Sequence, residues 1–320
     1  MLPDFYELAE NAFFYASGIT EGDGSWEIPE TEAAEALRGL KPFVRYLREE
    51  YRPESDRPTP NPLYEGPNAF AYLLAYVPIY IRQSTKVLEI AGLHGEGHDK
   101  KRVGLFCCGP CPEAVGLVEM LRGPGGRKQP DRFCLELFDN HHEGWEATRD
   151  ALLDVSFLDS PGICRDRKRQ WGGGWEIALY DLPGIHDFNV VDGLSPAHRQ
   201  IVAQLDVAMF QNFDNELGPA VGSAQVAADQ TIEEIAELLP PGSKLILSGL
   251  TDAMKRHKRL LAPLREYGEV WRGYKQISVP SPTPGGLTDR FLLDGSDNFK
   301  PRTILFLNYL VFERAPVPSP

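Results

Sequence analysis

The stretch Lys101-Arg102-Val103-Gly104-Leu105-Phe106-Cys107-Cys108-Gly109-Pro110-Cys111-Pro112-Glu113 decides the fold. Arg102 to Cys108 is a short apolar run that reads as a strand. Gly109-Pro110 ends it, since these two residues punctuate regular structure more strongly than any others. Pro112 then opens a helix to about Leu121, because its fixed φ suits the first helical position. Strand, tight turn and helix in succession is the opening of a parallel α/β sheet. In such sheets ligands bind beyond the carboxyl ends of the strands, where the strand order reverses. Cysteine is small and glycine has no Cβ, so the backbone of this turn can approach a ligand closely.

The same alternation continues outward. Arg132 to Asp139 is a second strand, followed by a helix from about Glu143 to Val155. Phe188 to Asp192 reads as a third strand, and Ser195-Pro196 caps and opens a helix to about Gln204. Leu205 to Gln211 is a fourth strand, and a long helix from about Pro219 to Leu239 closes at Pro240-Pro241-Gly242. Lys244 to Gly249 is a fifth strand, with a basic helix over about Ala253 to Tyr267. Val270 to Val279 and Thr303 to Glu313 are strand-like, with a Pro/Gly loop and no clear helix between them, which makes them antiparallel neighbours at one edge. The predicted fold class is α/β: a three-layer, Rossmann-like, mostly parallel sheet of about seven strands with an antiparallel terminal strand.

Residues 1–100 differ in texture. Ile28 to Thr31 opens a helix whose apolar face continues through Leu37, Leu40, Val44 and Leu47. Arg52 to Pro62, with four prolines, reads as a linker, and a second apolar, aromatic helix runs from about Pro67 to Ala91. The expected division is therefore a helical cap (1–100), a sheet domain (101–314) and a Pro-rich tail (315–320).

Composition excludes several classes. Of the net charge of −13, the first 60 residues carry more than half, with thirteen acidic against six basic residues. An acidic whole disfavours a generic nucleic-acid binder, whose affinity comes from Lys and Arg on phosphates. No apolar run reaches the roughly 18–20 residues of a membrane helix. The start, MLPDFYELAEN, lacks the basic and apolar regions of a signal peptide. Five cysteines, three of them at 107, 108 and 111, do not make a disulfide framework, so free thiols in the cytoplasm are expected.

Taken together, these motifs resemble class I S-adenosylmethionine-dependent methyltransferases over about residues 101–314. Val103 to Cys111 is similar to that family's apolar strand and Gly-Cys-Gly-Pro-Gly turn. Phe138-Asp139 matches the acid that holds the cofactor ribose, and Val191-Asp192 the polar residue near the adenine. Leu238 to Leu247 matches the step into strand five, and Leu205 to Asn212 the strand whose end faces the donor methyl. Two positions depart from the pattern. The family's acid in the first strand falls on Leu105, and its first and third glycines fall on Cys107 and Cys111.

The resemblance implies S-adenosylmethionine as cofactor, S-adenosylhomocysteine as product, and Cys107, Cys108, Gly109, Pro110, Glu113, Asp139, Asn140, Asp192 and Asn212 as its contacts. Glu113 stands in for the missing acid at the methionine ammonium. Asn212 and Asp214 would face the acceptor, Asp214 or Glu216 as a base. No acceptor, oligomeric state or partner is legible.

Other readings stay open beside these. The cysteines, with Cys134, His141 or His142, also read as ligands of a zinc-stabilised binding module, although only one cysteine cluster exists. The altered turn also suits a non-catalytic member of the fold, acting in assembly or binding. The basic, Trp- and Gly-containing insertion at 160–185 and the run Lys255 to Arg259 are either RNA-contacting patches or solvated charge.

Overall fold

The computed structural model describes residues 5–19, 29–50, 64–93, 101–122, 133–158, 185–213, 223–249, 253–293 and 303–316. The Pro-rich linker, nearly all of the basic insertion, Asp214, Glu216 and the last four residues lie outside them.

Seven strands form one sheet: β1 (Lys101–Phe106), β2 (Phe133–Phe138), β3 (Ile185–His186), β4 (Val207–Gln211), β5 (Lys244–Gly249), β6 (Gly268–Ser278) and β7 (Ile304–Arg314). Their order is β3-β2-β1-β4-β5-β7-β6. β1 to β5 pair in parallel, and β7 inserts between β5 and β6, antiparallel to both. The expected antiparallel terminal strand is thus present, one place in from the edge. The order reverses between β1 and β4, and this is where an α/β sheet of this kind opens its crevice.

Helices cover both faces. Val87 and Leu88 of α4 (Val77–Ile90) and Ala114, Leu117 and Val118 of α5 (Pro112–Arg122) pack against one face with Val103, Leu105 and Leu137. Leu153 of α6 (His142–Leu158) joins them. The other face meets α7 (Pro196–Val202), α8 (Ser223–Leu238) and α9 (Ala253–Arg265) through Val202, Ile232, Ile235, Leu260 and Leu264. Ser195 caps α7, its hydroxyl accepting from the His198 N–H at 3.1 Å. Along the carboxyl ends of three strands, Phe138, Phe106 and Phe210 stand in register. Their rings stack at 4.3 and 4.7 Å.

The N-terminal helices α1 (Phe5–Ala16), α2 (Glu30–Glu50) and α3 (Pro67–Ala75) share a core with Trp145, Leu152 and Leu292. The predicted helix over 67–91 is two helices, broken at Tyr76, with Pro78 in the first turn of α4. Proline clashes within a helix interior but fits its start, which explains the division.

Three other expectations change. The third strand is Ile185–His186, and Phe188 to Asp192 forms a turn that buries Phe188 and Val190. A single π-helical turn, Thr288–Leu292, stands between β6 and β7, its Thr288 donating to Glu10 of α1. The basic run Lys255 to Arg259 is not wholly solvated. Arg256 and His257 are buried, and Arg256 Nε donates to Asp229 at 2.8 Å while its guanidinium covers the Phe213 ring.

Candidate active site

A small, partly enclosed cleft lies beyond the carboxyl ends of β1, β2 and β4. Its walls are the turn after β1 (Cys107, Cys108, Gly109), the start of α5 (Pro112, Glu113), the segment after β2 (Asp139, His141, Trp145) and the end of β4 (Gln211, Asn212). Tyr64, Tyr72 and Tyr80 close it from the cap.

The turn carries the strongest local signal. Cys107, Gly109 and Cys111 have φ of +54°, +51° and +61°. These are the three positions where the resemblance expects glycine. A left-handed conformation costs a residue with a Cβ about 1–2 kcal/mol. The two cysteines hold it because their surroundings fix the path: Cys107 N–H donates to Phe138 O at 2.7 Å, and Cys111 N–H to Cys108 O at 2.8 Å. The tryptophan ring of Trp145 lies against Gly109, where an added Cβ would come within 3.3 Å of it.

Asp139 sits one residue past β2 and is buried. One carboxylate oxygen accepts from Gly109 N–H and the other from His141 N–H, each at 2.8 Å. Burial pushes its pKa up, opposed by those two bonds. A carboxylate oxygen has room for a second donor, so each can also take a hydroxyl.

Glu113, in the first turn of α5, is only 3% exposed. Its Oε2 has no hydrogen-bond partner among the described residues. Burial, with Asp139 adding, pushes its pKa up to about 8. A buried carboxyl oxygen left unsatisfied on a cleft wall costs free energy until a donor or cation reaches it.

Opposite, Asn212 adopts φ +58°, and its side-chain amide pairs reciprocally with Gln83 of α4, both bonds 3.1 Å. Gln211 is held by the Ser84 hydroxyl at 2.8 Å and itself donates to Tyr80 O. This buried polar network fastens the cap to the end of β4. Tyr64 and Tyr72 meet Trp145 at 4.4 and 5.1 Å between ring centroids, making an aromatic roof.

Of the predicted site residues, Cys107, Cys108, Gly109, Glu113, Asp139 and Asn212 line the cleft. Pro110, Asn140 and Asp192 are not among its lining residues. Asn140 and Asp192 are solvent-exposed, and Asp192 N–H closes a turn onto Asn189 O. Sequence reasoning missed Gln83, Ser84 and Gln211, and left Tyr64, Tyr72 and Tyr80 without a role. The polar run Arg82 to Lys86 inside α4, between apolar flanks, was the available signal. Among the described residues, no group of three or more His, Cys, Asp or Glu is placed to hold a metal ion. No helix among them is long and apolar enough to cross a membrane.

The strand order, the antiparallel β7 and the glycine-type turn after β1 define a Rossmann-like fold of the class I methyltransferase type. No protein family matches the chain, and no curated protein does. Solved structures similar at low identity include the following three. One is a precorrin-6y C5,15-methyltransferase from Geobacter metallireducens (8% identical, 70% of this chain and 86% of that one, TM-score 0.38). Another is an S-adenosylmethionine-dependent O-methyltransferase from Thermotoga maritima (12%, 73% and 66%, TM-score 0.37). The third is an rRNA methylase from Streptococcus thermophilus (13%, 75% and 97%, TM-score 0.36).

Proposed function

We propose that the chain is an S-adenosylmethionine-dependent methyltransferase, and that the cleft between cap and sheet is its active site. The observation that carries this reading is the buried Glu113 carboxyl beside Asp139, its Oε2 without a hydrogen-bond partner among the described residues, at the point where the strand order reverses. The donor set fits the cofactor. Glu113 accepts from the methionine ammonium, whose positive charge offsets that of the buried carboxylate. Asp139 takes the ribose hydroxyls on its free lone pairs. The backbone of 107–111 lies along the amino-acid part, and the packed rings of Tyr64 and Trp145 roof that side of the cleft. When bound, the cofactor supplies a sulfonium methyl. The acceptor enters from the Asn212 side, beside the N-terminal helices. Asn212 orients the acceptor, and Asp214, which lies outside the described residues, stands two positions further on as a candidate base. Cytoplasm is the compartment that suits reduced cysteines at 107, 108, 111 and 134.

A second reading is a non-catalytic binding or assembly protein of the same fold. Two observations favour it: Trp145 covers Gly109, and Gln83 already occupies the Asn212 amide. Calorimetry with S-adenosylmethionine and S-adenosylhomocysteine tests the cofactor reading. Methyl transfer from radiolabelled cofactor to a panel of small-molecule, protein and RNA acceptors then separates the two. Saturable binding with no transfer to any class favours the second.

A further inference from the structure

The methyltransferase reading uses the turn after β1 for its backbone and leaves the thiols themselves without a role. Two of those thiols face each other. Cys108 and Cys111 are reduced, and Cys111 Sγ lies 3.5 Å from Cys108 Sγ. The four residues Cys108-Gly109-Pro110-Cys111 form a turn closed by the 2.8 Å bond from Cys111 N–H to Cys108 O. A β-turn holds its end Cα atoms within about 7 Å, and a disulfide needs about 4.4–6.8 Å. The sulfurs must close from 3.5 Å to about 2.05 Å, a movement within reach of side-chain rotation and a small turn adjustment. Cys108 lines the cleft but is only 4% exposed, and Cys111 is fully buried behind it. The pair stands immediately before the first turn of α5, in the Cys-x-x-Cys spacing of dithiol redox sites.

We propose that Cys108 and Cys111 are a redox-modifiable dithiol, closed to a disulfide by a small disulfide oxidant such as oxidised glutathione, and that closure weakens cofactor binding in the adjoining cleft. The second half rests on the methyltransferase reading; the first does not. Cys108 loses its proton to solvent and attacks one sulfur of oxidised glutathione. A Cys108–glutathione mixed disulfide forms, and one glutathione leaves as thiolate. Cys111, losing its own proton, then attacks Cys108 Sγ and displaces the second glutathione. Two protein thiols are oxidised, and one glutathione disulfide is reduced to two thiols. In the resting state the Cys108 thiol is uncharged. The contact with Cys111, burial and the nearby Asp139 and Glu113 carboxyls all raise the Cys108 pKa well above the usual thiol range.

Closure acts on the site through the turn. Cys111 Sγ now donates to Gly109 O, and Gly109 N–H donates to Asp139. A disulfide removes the first bond and pulls on the residue that makes the second. It also draws on the start of α5, where Glu113 sits.

The test uses the full chain equilibrated in glutathione buffers of varied reduced-to-oxidised ratio, then alkylated and mapped by mass spectrometry. S-adenosylhomocysteine affinity is measured on the same samples. The expected result is a reversible Cys108–Cys111 bridge, seen as loss of two hydrogens from that peptide. Affinity should fall by about tenfold, equivalent to about 1.4 kcal/mol. Two variants secure the assignment. Cys107→Gly keeps the pair and must still bridge. Cys111→Gly removes it but places glycine at a positive φ, so it retains a foldable turn; its affinity must no longer follow the glutathione ratio. A chain that stays reduced throughout, or a bridge mapped to Cys107, overturns the dithiol. A mapped bridge with unchanged affinity overturns the coupling. A mapped bridge with no binding heat in either state sinks the cofactor reading and leaves the dithiol standing.

Discussion

At the scale of single residues, the turn after β1 keeps a glycine backbone under two cysteine side chains. Cys107→Gly relieves the left-handed strain at a half-buried position, and the lost side-chain contacts offset only part of that gain. The variant should be more stable by about 0.5–1 kcal/mol in thermal or urea unfolding. Glu113 sets a pH dependence. Unfolded, its carboxyl ionises near 4.5; folded, it keeps its proton until about 8. Between those values the folded state holds the extra proton, so stability falls as pH rises. Asp139, also raised, acts in the same sense. Glu113→Gln removes the larger part of this slope. It should unfold at higher urea than the wild type at pH 8 and show little advantage near pH 4.5, a difference on the order of a few kcal/mol. Spacing within one segment made 107, 109, 111 and 113 legible, as did the strand end at Asp139. Gln83 was not, because its partner Asn212 lies 129 residues away and only folding brings the two amides together.

At the scale of elements, the contact between α4 and α5 anchors the cap beside the cleft. Gly116 permits it: an added Cβ would fall 2.4 Å from Ser84 Cβ and 3.0 Å from the Thr85 backbone nitrogen. Gly116→Val should therefore destabilise the protein by about 1–3 kcal/mol or more, measured by urea unfolding, because backbone cannot yield as a side chain does. It should also disturb Ser84 and Gln83, and with them the end of β4. Apolar runs and helix-start residues made β1, β2, β4, β5 and most helices readable in the sequence. β3 was not readable. It is two residues long, and its place is secured by tertiary contacts: His186 Nε2 lies 3.0 Å from the buried Glu136, which Arg102 of β1 also holds. The apolar pattern of Phe188 to Val191 comes from a buried turn and mimics a strand. The basic helix α9 misled in a similar way, since sequence alone does not show that Arg256 turns inward to Asp229.

At the scale of the whole molecule, the sheet order brings the ends of β1, β2 and β4 together, and the cap covers them. A ligand held in that cleft would meet a site that exists only in the folded chain. S-adenosylhomocysteine should therefore stabilise the protein by mass action, by about 2.7 kcal/mol at a concentration 100 times its Kd, seen as a rise in unfolding temperature. The acidic net charge says little about this site, since more than half of it lies in the first 60 residues. The central claim is that the Glu113 and Asp139 cleft holds this cofactor. Isothermal titration calorimetry of the full chain with S-adenosylhomocysteine, run beside Asp139→Ala, tests it most directly. The expected result is saturable one-site heat for the wild type, with affinity at least about tenfold weaker in the variant, equivalent to about 1.4 kcal/mol. No heat at millimolar ligand, or equal affinity in the two proteins, would contradict it.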